Sequence, residues 1–105
     1  MEITISSRNL DLSESLVATV QRKLSRLGRN GLGMTRAEVH FSEERNPRIT
    51  DREICEVLME GNGNRVRCRV SATDGFAAMD KAVAKIEQQM AKLKTRASTK
   101  LYAKV

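Results

Sequence analysis

A chain of 105 residues, 30% charged and 40% hydrophobic, has room for one modest core and not for a second domain, and it is too apolar for a disordered tail. Nineteen Lys and Arg against thirteen Asp and Glu leave a net charge of +6, the long-range footprint of a protein that meets polyanions. No apolar run approaches the ~18 residues of a spanning helix, and there is no signal-peptide core or lipidation motif, so no membrane partner and a cytoplasmic location are expected. With no Trp and only Phe41, Phe76 and Tyr102 as aromatics, the chain lacks a platform for stacking single-stranded bases.

Residues 2–6 alternate polar and apolar with Ile3 and Ile5 on one face, which predicts a short half-buried strand turning at Ser7-Arg8-Asn9. Ser13 is a helix N-cap, Glu14 follows where the helix dipole favours an acid, and Leu12 can close on Val17 as a hydrophobic staple. The inward face of this helix is Leu16, Val17, Val20, Leu24 and Leu27, and Gly28 or Gly31 is expected to end it as a left-handed C-cap. Arg22, Lys23, Arg26 and Arg29 gather beside that face. Complementing the helix dipole explains one or two of these four cations, not the cluster.

After a glycine-rich loop at 30–33, residues 35–42 set Ala37, Val39 and Phe41 against Arg36, Glu38 and His40, a clear strand. Residues 43–50, holding the only proline, Pro47, form an exposed loop. A strand from about Arg52 carries Cys55, Val57 and Met59 inward; Gly61-Asn62-Gly63-Asn64 marks a tight hairpin; the return strand over 65–73 turns Val66, Cys68, Val70 and Ala72 inward. Over 76–96, Met79, Ala82, Val83, Ile86, Met90 and Leu93 fall in one helical arc. Lys81, Lys85, Lys92 and Arg96 form a narrow stripe beside it, and the acids Asp80 and Glu87 lie on the opposite flank. Solubility requires charge on a helix but does not require it sorted by sign.

The element order β-α-β-β-β-α predicts an α+β two-layer sandwich, a four-stranded sheet with both helices on one face. Residues 1–96 form the domain, and 97–105 a polar tail that could open a linker. Packed side by side, the helices would join their two cation stripes into one surface able to neutralise several phosphates, with affinity for the shape and backbone of folded RNA. The sheet arginines read differently. A hairpin centred on Asn62-Gly63 sets Arg65 opposite Glu60 and Arg69 opposite Glu56, cross-strand ion pairs on a solvated face, so replacing Arg67 and Arg69 should matter far less than replacing Lys85 and Lys92. The same register makes Cys55 and Cys68 diagonal neighbours, too far apart for a disulfide, hence reduced. His40 has no nucleophile or second ligand near it in sequence, the glycine pairs lack the strand-loop-helix setting of a phosphate cradle, and Met79 and Met90 are core filler. No catalytic residue, metal, cofactor or small-molecule substrate is expected.

Three stretches, ITISSRNLDLSESL, AEVHFSEERNPR and above all VSATDGFAAMDKAVAKIEQQMAKLK, resemble the ribosome hibernation promoting factor and ribosome-associated inhibitor family over nearly the whole chain. That resemblance implies a fold related to double-stranded RNA-binding domains and a non-enzymatic factor of stress and stationary phase. It implies a partner, the small ribosomal subunit, bound in the channel between head and body so that messenger and transfer RNA are sterically excluded. It places Arg22, Lys23, Arg26, Arg29, Lys81, Lys85, Lys92 and Arg96 against ribosomal RNA. A general structured-RNA-binding stress protein or RNA chaperone is the alternative expectation. Two features depart from the family. Phe76 stands where a Tyr is usual, and the chain stops at Val105 where long members continue into a domain that pairs ribosomes, so ribosome dimerisation is expected only with such a domain.

Overall fold

The computed structural model describes residues 1–29 and 32–103, with side chains as far as Thr95. Six elements follow in order: β1 (Glu2–Arg8), α1 (Glu14–Leu27), β2 (Arg36–Glu43), β3 (Glu53–Gly61), β4 (Asn64–Ala72) and α2 (Gly75–Ala103). The sheet order is β1-β2-β3-β4, with β1 parallel to β2 and the remaining pairs antiparallel. A parallel pair needs a crossover, which α1 supplies. The expected α+β fold is therefore the observed one. The α2 backbone, however, stays helical to Ala103, past the Arg96 boundary and through most of the stretch expected to be a polar tail.

Alternation along the strands decides which face is covered. Ala37, Val39 and Phe41 of β2, Cys55, Val57 and Met59 of β3, and Val66, Val70 and Ala72 of β4 are buried on one side. Over them pack Leu16, Val20, Leu24 and Leu27 of α1 and Ala78, Met79, Ala82, Ile86 and Met90 of α2, in a single aliphatic cluster around Phe41. Each large side chain fully buried there is worth about 1.5–3 kcal/mol relative to exposure. Helix α2 lies on β3 and β4, while α1 packs against α2 and β1.

Local chemistry sets the ends. Ser13 caps α1 by accepting a 3.1 Å hydrogen bond from the Leu16 amide, and Asp74 caps α2 through the Ala77 amide at 2.8 Å. Gly28 closes α1 in the right-handed region, φ −65°, not the left-handed C-cap expected. Its missing Cβ makes room instead for Met1, whose Sδ and Cε would lie 3.1 Å from such an atom. Gly31 lies outside the described residues. The β3–β4 turn has positive φ at both central residues, 51° at Asn62 and 79° at Gly63, the geometry that matches strand twist in a two-residue hairpin.

At the start of β3, burial, then the nearby carboxylates of Asp74 and Glu43, raise the pKa of Glu53 above the ordinary glutamate value. Its folded pKa exceeds its unfolded one, so ionisation costs stability once pH rises through the folded value, and nothing below the unfolded value. Glu53→Gln is expected to raise Tm at neutral pH and to leave it unchanged in acid below the glutamate range. Thermal melts at the two pH values check this; a Tm gain that persists in acid would assign the effect to packing instead.

Candidate nucleic-acid interface

The apolar arc of α2 faces the sheet as its spacing requires, and three contacts then fix its rotation. Lys81 Nζ donates to the Ser71 carbonyl at 2.9 Å, and Cys68 Sγ donates to the Ala82 carbonyl at 3.7 Å. The Gln89 amide accepts from the Arg67 N–H at 3.1 Å and donates to the Arg67 carbonyl at 2.6 Å. Strand β4 is a sheet edge, whose outward backbone groups need partners; Gln89 acts there as a surrogate strand residue. Four helical residues advance ~6 Å and two strand residues ~6.6 Å, so the helix keeps step with the edge. Lys81, Lys85 and Gln89 accordingly pass Ser71, Arg69 and Arg67 in turn, and Lys85 is close enough to act on the Cys68 thiol.

This rotation corrects one expectation. The acidic flank of α2, not its lysine stripe, is turned toward α1: Lys23 Nζ is 2.9 Å from Asp80 Oδ1, and Arg26 shares an interhelical hollow with Glu87 and Lys94. The stripes of α1 and α2 therefore do not merge, because Asp80 and Glu87 stand between them. Nor are all the cations uncompensated, since Lys23 is paired and Lys81, besides its hydrogen bond, lies 3.8 Å from Asp51 Oδ2. Such exposed pairs contribute ~0.2–1 kcal/mol at most, yet they reduce the charge offered to a partner. Among the described residues, Arg22, Arg26, Arg29, Lys85 and Lys92 are exposed with no carboxylate at ion-pair distance. The Arg96 side chain lies outside the described residues.

On the open sheet face, the anticipated cross-strand pairs are present: Arg65 Nε lies 3.7 Å from Glu60 and Arg69 Nε 3.2 Å from Glu56. Arg36 adds contacts to Glu60 and Glu38. Arg67 is different. It sits opposite Leu58, and among the described residues no carboxylate reaches it. Its unpaired state was legible in the same register that gave its neighbours their acids. Gln89, the one amide in the lysine row, gives no signal in the sequence, because its partner is the backbone of a distant strand.

Both thiols lie on the helix-covered side of the sheet. Burial, above all, pushes the Cys55 thiol up to about 12. Burial also raises Cys68, against a backbone hydrogen bond from Val57 and the Lys85 charge. Both are free, with Cys55 paired to Val70 and Cys68 to Val57 across the strands, so they are diagonal as expected. Thiols held protonated are poor nucleophiles and ligands. His40 Nδ1 makes a 2.8 Å hydrogen bond with Ser6 Oγ, and the described residues contain no cluster suited to a metal ion. No described helix is long and apolar enough to cross a membrane. Phe76, at the start of α2, is 45% exposed, so its ring packs only in part.

Residues 3–98 match the Sigma 54 modulation protein / S30EA ribosomal protein family. The chain is 30% identical over 97 residues to the ribosome hibernation promotion factor of Picosynechococcus sp., covering 91% of this chain and 50% of that protein. With the ribosome hibernation promotion factor of Deinococcus radiodurans it shares 34% identity over 92 residues, 88% of this chain and 48% of the other. It thus spans about half the length of the curated relatives it matches. The crystal structure of the Thermus thermophilus Protein Y N-terminal domain superposes with a TM-score of 0.74 at 29% identity, covering 89% of this chain and 99% of that one. A ribosomal subunit interface protein from Coxiella burnetii superposes at 0.79 with 19% identity over 90% of this chain and 99% of its own, a likeness of fold alone. Motif, element order and these matches agree: the chain belongs to the Sigma 54 modulation protein / S30EA ribosomal protein family, as a relative of the ribosome hibernation promotion factors.

Proposed function

We propose that the protein is a ribosome hibernation factor whose domain binds the small ribosomal subunit through RNA phosphates in the channel between head and body. There it occupies the space that messenger and the A- and P-site transfer RNAs would take, and it silences translation by occlusion with no chemical step. One observation carries this reading in a family of ribosome-associated relatives: Lys85 and Lys92 are aligned and exposed along a sheet edge, with no carboxylate at ion-pair distance among the described residues. Each phosphate neutralised there would release condensed counterions, a gain that needs no base readout. Arg22, Arg26 and Arg29 form a second cationic patch across the acidic flank of α2, while the already-paired Lys23 and Lys81 contribute less. Arg96, four residues after Lys92 in the sequence, is counted with the proposed RNA-binding set. Ribosome pairing would require a further domain.

The test is co-sedimentation with purified small subunits, with and without saturating initiator transfer RNA or messenger. Displacement of the protein by either competitor is expected. Binding that survives both would contradict channel occupancy and favour a general structured-RNA chaperone using the same surface.

A further inference from the structure

Two cation rows from different elements converge at one place on the β4 edge. Gln89 grips the Arg67 backbone from the helix side, and Lys85 and Lys92 bracket Gln89 one turn before and one turn after it. Arg67 projects from the other side of the same edge, on the open sheet face between Arg65 and Arg69. Because the helix and strand advance in step, the rows stay aligned rather than diverging. Of the three β4 arginines, only Arg67 lacks a carboxylate partner among the described residues. Its backbone, meanwhile, is anchored at both N–H and carbonyl.

We propose that the backbone of one RNA strand runs along the β4 edge, held by Lys85 and Lys92 on the helix side and by Arg67 on the sheet side. This rests on the RNA-binding reading above and extends the surface onto a strand that the sequence had assigned to neutralised ion pairs. The division of labour follows from the side chains. Lysines act as mobile point charges, whereas a planar guanidinium on an anchored strand residue can take two oxygens of one phosphate and fix the strand's position. The partner is recognised by its phosphate row, so the site is insensitive to base identity.

The experiment measures small-subunit binding across a salt series for Arg67→Gln, Arg67→Lys, Arg36→Gln and the double variant Lys85→Glu/Lys92→Glu. Arg67→Gln is expected to bind about tenfold more weakly and to lower the slope of log K against log salt by about one. Arg67→Lys should keep the slope, with part of the affinity lost. Arg36 lies on the same face two strands in from the edge and is paired with Glu60 and Glu38, so Arg36→Gln should leave the slope unchanged. The Arg67 variants retain the backbone bonds to Gln89, and circular dichroism will verify their fold. Wild-type binding by Arg67→Gln beside weakened binding by the lysine double variant would overturn the two-sided clamp alone. Unchanged binding by both would overturn the RNA-binding reading and the clamp with it.

Discussion

Lys85→Glu/Lys92→Glu is expected to weaken small-subunit binding by about a hundredfold while leaving Tm within a degree or two. In the proposed contact, each substitution removes a cation from a phosphate and places an anion beside it, and a unit charge pair at 4 Å is worth ~1 kcal/mol even at the dielectric of water. Two reversals therefore change the interaction by at most roughly 4 kcal/mol, which salt screening brings down to about two decades in Kd. Stability should not follow. Both side chains are exposed, neither makes an ion pair among the described residues, and the helix is held by Gln89, Lys81 and its apolar arc instead. Binding at several salt concentrations with a thermal melt of the same sample checks both halves. Wild-type affinity would show that the lysine row is only a solvated face.

Gly61→Ala is expected to lower stability by about 2–4 kcal/mol, a large part of the 5–15 kcal/mol that holds a domain together. The hairpin end crosses the segment leading into β2 with no space between backbones. A Cβ on Gly61 would collide with the Gly33 carbonyl oxygen and sit 2.7 Å from Met34 Cα. These are main-chain atoms, fastened by the Thr35 backbone N–H to the Glu60 carbonyl at 3.0 Å and by the Asn64 side-chain Nδ2 to the Leu32 carbonyl at 3.3 Å. They cannot swing aside as a side-chain tip would. Gly63→Ala supplies the contrast, since nothing lies within 4 Å of its Cβ position and only the positive φ of 79° is penalised, at about 1 kcal/mol. Tm should drop by about 10–25 °C for Gly61→Ala and by much less for Gly63→Ala; equal losses would contradict the steric account.

The fold was legible because each element carries its own period. Ile3 and Ile5, the Ala37-Val39-Phe41 alternation and the Met79-to-Leu93 arc need no tertiary information, and Asn62-Gly63 fixes the β3–β4 register closely enough to foresee the Glu56–Arg69 and Glu60–Arg65 pairs. The site was legible only in part. Spacing orders residues around a helix but does not say what lies on either side of it, so the lysine stripe of α2 was set beside α1 when it belongs beside β4. Asp80 held the clue, since an acid on one flank of α2 and Lys23 on α1 could neutralise each other only if that flank faced α1. The left-handed cap expected at Gly28 or Gly31 is not at Gly28, and for a similar reason: glycine there admits Met1, just ahead of β1, a contact distant in sequence.

The central claim is that positive charge along the α2–β4 edge meets RNA phosphate on the small subunit, and its most direct test is the salt dependence of that binding. The wild-type protein should give a straight, steeply negative plot of log K against log salt, and Lys85→Glu/Lys92→Glu should be shallower by about two units. A wild-type affinity indifferent to salt, or two parallel plots, would contradict it.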